Sequence, residues 1–323
     1  ETPTLIPITT ERGWHDTTPS PDGQFLTDRF STEVRPPELL VRSTTGGQSA
    51  SIEQSKLALD AELIAPEVFR IPTASGVGLP AMIVRPPDAS SRKPCPVVVE
   101  VYGGPQAPVV STRWSDKRTL DRQLLARRGI ATLVVDNRSS AGRGLVDTWA
   151  VRGRLGELEL QDLQIAAEWL KSQTWVDEDR LALRGWSFGG FLTLYTMTHC
   201  DAFAVGIAGG SVTDWREYDA FYTERYMDLP SENPEGYRLT SPLASAANLS
   251  GRVLLIHGES DDNVHPSETM RMAGALQKAD KSFDLMLYPG AAHAVSDPWQ
   301  SWHMKRMTDE FLIEHLLPRS NHR

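Results

Sequence analysis

The chain has 323 residues, of which 40% are hydrophobic and 23% charged, a composition ordinary for a globular protein that buries a large core. Its net charge of −9 argues against nucleic acid or an anionic membrane as the main partner. No apolar run approaches the ~20 residues that a membrane-spanning helix needs, and the two cysteines, Cys95 and Cys200, exclude a disulfide framework.

Residues 1–50 differ in character from the rest of the chain, and we interpret them as a β-hairpin segment. A turn signal at residues 18–23 precedes a candidate strand at 24–30, and a second candidate strand follows at 38–43. A pair of strands is not stable alone, so this segment must pack on the main domain or on a region outside the sequence. A remnant of a β-propeller blade and a simple hairpin appendage explain the pattern equally well.

Residues 51–66 show helical spacing of the apolar Ile52, Leu57 and Leu63 and are predicted to form a linker helix. The main domain is then expected from residue 67 to residue 323. Because the sequence begins with Glu1 rather than Met, we also expect a processed or truncated product.

In the main domain, candidate strands alternate with candidate helices. Strands are expected at residues 68–72, 79–85, 97–102, 130–135, 181–186, 204–208, 253–257 and 283–288, and helices at 117–128, 157–172, 188–199, 267–279 and 299–316. Such alternation implies a mostly parallel sheet with right-handed crossovers and helices on both faces. Apolar runs such as Val97-Val98-Val99 suit strands that are covered on both faces.

The clearest chemical signal is Gly-Trp-Ser-Phe-Gly at residues 185–189. It lies between a candidate strand and a candidate helix, which is the context of a nucleophile elbow, a sharp turn that lifts a serine hydroxyl above the sheet edge. The next N–H, that of Phe188, lies at a helix N-terminus and suits an oxyanion. Glycine and serine are common in loops, so the alternative is an ordinary strand–helix turn. The context favours Ser187 as a nucleophile.

Loops after other candidate strands contain the groups that a nucleophilic serine requires. One loop begins with Tyr102, a second contains Asp261 and Asp262, and a third contains His293. The order Ser, acid, His is that of α/β-hydrolases, and the ends of parallel strands meet at one sheet edge, where these groups can converge. The imidazole would take the serine proton, and the acid would orient the imidazole. From the residues alone, either aspartate can be that acid.

We therefore expect an α/β-hydrolase fold with a mostly parallel eight-stranded sheet. No metal or other cofactor is expected, since the histidines lack ligand spacing such as His-Glu-x-x-His. His257 and His265 are expected to serve structure rather than chemistry.

These motifs resemble those of the prolyl oligopeptidase family of serine peptidases, and most of all its dipeptidyl peptidase IV branch. The similarity runs from about residue 69 to the C-terminus, with a weaker match of residues 14–45 to the last blade of a β-propeller. The resemblance implies that Asp261 is the triad acid and His293 the base. It also implies that the Tyr102 hydroxyl and the Phe188 N–H together form the oxyanion hole.

The same resemblance implies a small apolar pocket for proline or alanine. Its walls would be Phe188, Val212, Trp215, Tyr218, Tyr222 and Val264. Proline has an apolar ring and no N–H, so flat aromatic walls can hold it without a hydrogen-bond donor. Spacings of three and four from Trp215 to Tyr218 to Tyr222 predict that these rings share one helical face, although such a stripe is ordinarily core. Asn263 would bond the substrate carbonyl one residue nearer the amino terminus.

The predicted function is hydrolysis of peptide bonds after proline or alanine through an acyl-enzyme, with a peptide as substrate. In the dipeptidyl peptidase IV branch, a Glu-Glu pair and an arginine of the propeller grip the substrate's amine and carbonyl, and no equivalent is found here. The exopeptidase mode therefore rests on the resemblance alone, and a propeller is expected outside this sequence. A homodimer is compatible with the resemblance. The rivals are an acylaminoacyl peptidase, a carboxylesterase, and a non-catalytic or inactive fragment.

Overall fold

A computed structural model describes residues 6–47, 49–57, 62–74, 76–140 and 142–318. The first sheet is a four-stranded antiparallel meander in the order β1-β2-β3-β4. Its strands are β1 (Trp14–Pro19), β2 (Phe25–Ser31), β3 (Glu38–Ser43) and β4 (Ser49–Gln54). The two expected strands are thus present as β2 and β3. The two outer strands were not predicted because they are exposed and polar, and they lack alternating apolar residues.

The predicted linker helix over residues 51–66 is wrong where the structure describes it. Residues up to Gln54 belong to strand β4, which pairs with β3, while residues 58–61 of the predicted helix lie outside the described residues. Pairing with β3 outweighs the weak helical spacing of a few apolar residues, since tertiary contacts routinely override local propensity.

The second sheet has eight strands in the order β12-β11-β10-β9-β7-β8-β6-β5. These strands are β5 (Glu67–Ile71), β6 (Leu79–Val84), β7 (Cys95–Val101), β8 (Ala131–Val135), β9 (Val176–Trp186), β10 (Val205–Gly209), β11 (Arg252–Gly258) and β12 (Phe283–Tyr288). Strands β7 to β12 run parallel to one another, whereas β6 pairs antiparallel with both β8 and β5. The expected mostly parallel sheet of an α/β-hydrolase fold is therefore confirmed.

Both faces of this sheet are covered. Val97 and Val99 of β7 are fully buried in one hydrophobic cluster, and Val98 between them is fully buried in another. Successive side chains of a strand point to opposite faces, so β7 packs against helices on both sides. Burying each such side chain contributes about 1.5–3 kcal/mol relative to exposure.

The helices are α1 (Asp116–Arg127), α2 (Leu145–Trp149), α3 (Glu157–Lys171), α4 (Phe188–His199), α5 (Ala220–Met227), α6 (Pro234–Leu239), α7 (Ser267–Lys278) and α8 (Pro298–Leu316). Each helix expected from the sequence is present, and the short helices α2, α5 and α6 were not predicted. None of the described helices combines the length and hydropathy required to cross a bilayer.

Candidate active site

Ser187 occupies a strained turn between β9 and α4. Its φ of 60° and ψ of −119° lie in the positive-φ region, which a serine adopts at a cost of roughly 1–3 kcal/mol. Two backbone hydrogen bonds hold the turn: the Ser187 N–H donates to the Gly209 carbonyl at 2.8 Å, and the Phe191 N–H donates to the Ser187 carbonyl at 2.9 Å. A sharp strand–turn–helix with serine in strained backbone is the geometry of a nucleophile elbow.

The glycines beside Ser187 are required because backbone approaches backbone there. A Cβ on Gly185 would lie 2.2 Å from the carbonyl oxygen of Gly189, and a Cβ on Gly189 would lie 2.3 Å from the carbonyl oxygen of Val101. A larger residue at either position would therefore push β9, α4 and β7 apart.

Two candidate oxyanion donors lie next to Ser187. Phe188 is the first residue of α4, so its N–H has no acceptor within the helix. Tyr102 directly follows β7, and its ring centroid lies 6.3 Å from that of Phe188. Burial raises the pKa of Tyr102, which keeps its hydroxyl protonated and able to donate.

His293 is paired with Asp261 and not with Asp262. The His293 Nδ1 lies 2.8 Å from Asp261 Oδ2. Asp261 Oδ1 accepts hydrogen bonds from the backbone N–H groups of Asn263 at 3.0 Å and Val264 at 2.9 Å. The Asp261 side chain is fully buried, whereas Asp262 is exposed. An imidazole held by a buried, hydrogen-bonded carboxylate has a defined tautomer, with the proton on Nδ1 and Nε2 free to accept another proton.

The His293 ring lies close to the turn that carries Ser187. Trp186, the residue before Ser187, donates its indole N–H to the His293 carbonyl at 2.9 Å. A Cβ on Gly210 would lie 3.2 Å from His293 Cε1, and Gly210 follows the residue that bonds the Ser187 N–H. Among the described residues, the Ser187 hydroxyl and His293 form no hydrogen bond. Catalytic hydrogen bonds are often long or poorly aligned without substrate and tighten when it binds.

The predicted pocket residues lie together. Centroid distances between rings are 5.5 Å for Phe188–Trp215, 5.9 Å for Trp215–Tyr218, 6.2 Å for Trp215–Tyr222 and 5.7 Å for Tyr218–Tyr222. Val212 and Val264 are buried in the same cluster. The Tyr218 hydroxyl donates to Asn263 Oδ1 at 2.8 Å, which joins this aromatic group to the loop that carries Asp261.

The expectation that Trp215, Tyr218 and Tyr222 share one helical face is wrong. Trp215 begins a 3₁₀ turn, Tyr218 is extended, and Tyr222 lies in the separate helix α5. Asp214 accepts a hydrogen bond from the Arg216 N–H at 3.1 Å, and Asp219 accepts one from the Tyr222 N–H at 2.9 Å. Each aspartate therefore begins its own short helix, and these two N-caps are the sequence signal that the spacing argument missed.

Other polar residues adjoin this region without having been predicted to belong to it. Glu268 bonds to the residues that precede Trp215, and Thr269 bonds to His257, which itself approaches Asp261. No motif or periodicity in the sequence marks Glu268 or Thr269. Within the described ranges, no group of three or more His, Cys, Asp or Glu side chains is placed to hold a metal ion.

A separate cavity of about 770 Å³ lies between α1, α8 and the sheet. Tyr102 and Trp186 line it, but Ser187, Asp261 and His293 do not. Its charged walls include an ion pair in which Arg122 donates to Glu100 at 2.6 Å. The cavity therefore lies behind the strands that carry the site rather than at the site itself.

Comparison with families of known proteins matches residues 116–319 to the model described as the prolyl oligopeptidase family. The chain is similar to dipeptidyl peptidase 8 of Mus musculus, with 37% identity over 256 residues that cover 78% of this chain and 29% of the relative. It is 35% identical over 269 residues to dipeptidyl-aminopeptidase B of Aspergillus niger, again covering 78% of this chain and 29% of the relative.

Among solved structures, dipeptidyl peptidase 4 of Porphyromonas gingivalis superposes with a TM-score of 0.89 and 31% identity. The match covers 96% of this chain and 44% of that one. The chain thus spans less than a third of the curated relatives and less than half of the solved structure.

Proposed function

Because the chain belongs to the prolyl oligopeptidase family, we propose that it is the catalytic part of a dipeptidyl-peptidase-like serine peptidase that cleaves after proline or alanine. The observation that carries the proposal is the 2.8 Å hydrogen bond between His293 and the buried Asp261, beside a strained Ser187 turn. Such a pairing gives the imidazole the tautomer in which it can accept a hydroxyl proton.

In this proposal Ser187 Oγ attacks the carbonyl carbon of the peptide bond while His293 Nε2 takes its proton. The imidazolium is stabilised by Asp261, and the negative oxygen is held by the Phe188 N–H and the Tyr102 hydroxyl. The C–N bond then breaks as His293 gives the proton to the leaving amine. Water, activated by the same imidazole, releases the acyl group from Ser187 and restores the hydroxyl.

The aromatic group beside Ser187 supports the specificity. Phe188, Trp215 and Tyr222 present flat apolar faces within about ring-stacking distance of each other. A pyrrolidine ring or a methyl group fits such a pocket, and neither asks for a hydrogen-bond partner. We assign Val212, Tyr218 and Val264 to the same pocket and Asn263 to the preceding substrate carbonyl.

We further propose that the four-stranded meander is one blade of a β-propeller whose other blades lie outside this sequence. The fraction of the relatives that the chain covers supports this proposal. Recognition of the substrate's amino terminus, and with it the removal of dipeptides, would come from that region.

Labelling of the nucleophile tests the triad without requiring a complete substrate site. We expect a fluorophosphonate to label the unaltered chain and to leave Ser187→Ala unlabelled, because only an activated serine attacks phosphorus. Labelling of Ser187→Ala would refute the assignment of the nucleophile.

Competing substrates test the specificity of the same chain. Anilides of Ala-Pro and Gly-Pro should be hydrolysed faster than short acyl esters if the pocket receives proline. Hydrolysis of the esters alone would favour a carboxylesterase, and labelling without turnover of either class would favour a fragment that needs its propeller.

A further inference from the structure

We propose that the first turn of α7 anchors both halves of the active site, through Thr269 and His257 on the triad acid and through Glu268 on the substrate pocket. The inference rests on the proposed function and extends it to residues that contact neither substrate nor the reacting atoms. Glu268 and Thr269 are neighbours in the sequence, both about 1% exposed.

His257 links Thr269 to Asp261. It is fully buried at the end of β11, with Nδ1 at 2.7 Å from Thr269 Oγ1. Its Nε2 lies 2.8 Å from the carbonyl oxygen of Val264 and 3.2 Å from Asp261 Oδ2. Both nitrogens of the ring are therefore satisfied inside the protein, one by α7 and the other by the Asp261 loop.

These contacts determine the tautomer of His257. A carbonyl oxygen can only accept, so Nε2 carries the proton and donates it to the Val264 carbonyl, with Asp261 Oδ2 close beside that proton. The unprotonated Nδ1 then accepts from the Thr269 hydroxyl. Burial lowers the pKa of His257, which keeps the ring neutral.

The consequence for Asp261 is a single side-chain orientation. Asp261 Oδ2 faces His293 Nδ1 at 2.8 Å and His257 Nε2 at 3.2 Å, while two backbone N–H groups hold Oδ1. If His257 turned, Oδ2 would lose one of its two imidazole partners, and the orientation of the carboxylate toward His293 would be less restricted. His257 and Thr269 are thus positioning residues, acting on the general base through its carboxylate partner.

Glu268 makes the corresponding contact to the pocket. Its Oε2 accepts from the N–H groups of Thr213 at 3.0 Å and Asp214 at 3.2 Å, and from the Thr213 hydroxyl at 2.5 Å. Thr213 and Asp214 connect Val212 with Trp215, two residues of the proposed pocket. The buried Glu268 carboxylate therefore holds the turn that leads into Trp215, the first aromatic residue of the proposed pocket in this segment.

The two anchors should separate in kinetics, because consecutive helix residues point about 100° apart and here reach different loops. The test is to measure kcat and KM for an Ala-Pro anilide and the inactivation rate constant for diisopropyl fluorophosphate. Thr269→Val should lower kcat and the inactivation rate about tenfold with KM within about twofold, consistent with the loss of one buried hydrogen bond. Thr269→Ser, which keeps the hydroxyl, should restore both rates.

Glu268→Ala should instead raise KM about tenfold and leave the inactivation rate within about twofold, since the small phosphate ester does not need the aromatic pocket. Glu268→Gln keeps an oxygen acceptor and should recover most of the loss. Thermal unfolding of each variant separates these effects from misfolding. If Thr269→Val and Glu268→Ala alter kcat and KM in the same proportion, or if Thr269→Ser fails to restore the rates, the proposal is overturned.

A readout independent of turnover distinguishes failure of this inference from failure of the proposed function. The ¹⁵N shifts of His257, identified by comparison with His257→Asn, should show a neutral ring protonated at Nε2, and Thr269→Val should shift the Nδ1 signal. A proton on Nδ1 would overturn the anchoring of Asp261 even in a chain that no fluorophosphonate labels. An unlabelled chain with the expected His257 signals would instead count against the peptidase proposal alone.

Discussion

The residues at the proposed site differ in how much freedom the surrounding structure leaves them. Ser187 is held by two backbone hydrogen bonds in a conformation unfavourable for serine. Asp261 accepts from several donors while fully buried. Strain and burial of this kind persist only where the rest of the structure over-determines them. In the proposed mechanism, Ser187 and Asp261 are therefore held in place before a substrate arrives.

The Tyr102 hydroxyl is the most direct single-residue test of the oxyanion hole. Removing one donor from such a site typically lowers kcat by about a hundredfold or more, equivalent to about 3–4 kcal/mol. Tyr102→Phe should show that loss in kcat with unchanged thermal unfolding, because the ring and its contact with Phe188 remain. Turnover near that of the unaltered chain would remove Tyr102 from the oxyanion hole.

Glu159 gives the stability of the protein a distinctive pH dependence. Its side chain is fully buried near the start of α3, where it accepts the Gly156 N–H at 3.0 Å, and burial raises its pKa to about 8. The folded state therefore keeps a proton that the unfolded chain releases above about pH 4.5. Between that pH and about 8 the free energy of unfolding should fall as pH rises, by at most about 1.4 kcal/mol per pH unit from this group.

Urea unfolding of Glu159→Gln and the unaltered chain across pH 5–8 measures this contribution. The substitution should make the downward slope shallower by the contribution of Glu159, since an amide binds no proton in this range. Glu168→Gln on the exposed face of α3 is the matched control, because 73% of the Glu168 side chain is exposed. Equal slopes for Glu159→Gln and the unaltered chain would show that Glu159 ionises normally.

At the scale of elements, the sequence predicts what is buried and long better than what is short or exposed. Strand β7 and helix α4 carry nearly continuous apolar residues, and both lie where they were expected. Strands β1 and β4 are polar and become strands only by pairing with β2 and β3. The same limit applies to the short helix α5, which depends on its Asp219 cap rather than on periodicity.

The site residues also differ in how far the sequence predicts their positions. That Ser187, Asp261 and His293 follow strand ends is a consequence of parallel topology, and strand patterns reveal it. The choice between Asp261 and Asp262 depends on which carboxylate the loop buries, and no local pattern encodes that. The distance between His293 and Ser187 likewise depends on the conformation of a loop whose hydrogen bonds are non-local.

The tight junction of β9 and α4 yields a prediction about that pair of elements. Gly185→Ala should destabilise the protein by several kcal/mol, because its Cβ would lie 2.2 Å from the carbonyl oxygen of Gly189. Gly274→Ala in α7 meets nothing within 4 Å and should stabilise by up to about 1 kcal/mol, since alanine restricts the unfolded chain. Denaturant unfolding compares them, and a Gly185→Ala variant as stable as Gly274→Ala would contradict the described junction.

At the scale of the whole molecule, the two sheets differ in how they are covered. The larger sheet is buried by helices on both faces, whereas β1 and β4 of the meander are almost entirely exposed. Contacts between the two regions include the Trp114 N–H, which donates to the Ser31 hydroxyl at 3.3 Å. Within the meander, the fully buried Asp28 accepts from Arg42 at 2.7 Å and pairs with His15 at 2.8 Å.

Hydrogen exchange should report this difference. Amides of β7 and β9 should exchange only on global unfolding, because they are central in the larger sheet, while those of β1 and β4 should exchange through local opening. Exchange of β2 and β3 should be intermediate, since Asp28 and its partners lie between them. Uniform protection across both sheets would show that the meander and the larger sheet unfold as one unit.

The outer strands of the meander also affect how readily the isolated chain aggregates in solution. Each presents a row of main-chain groups at a sheet margin, where a stray extended segment can attach laterally. These edge strands are protected by charge and by Pro19 rather than by covering structure. Asp16 and Pro19 lie on β1, and Glu53 lies on β4. Aggregation of concentrated samples should therefore proceed through these edge strands. It should increase at acidic pH, because such carboxylates become neutral.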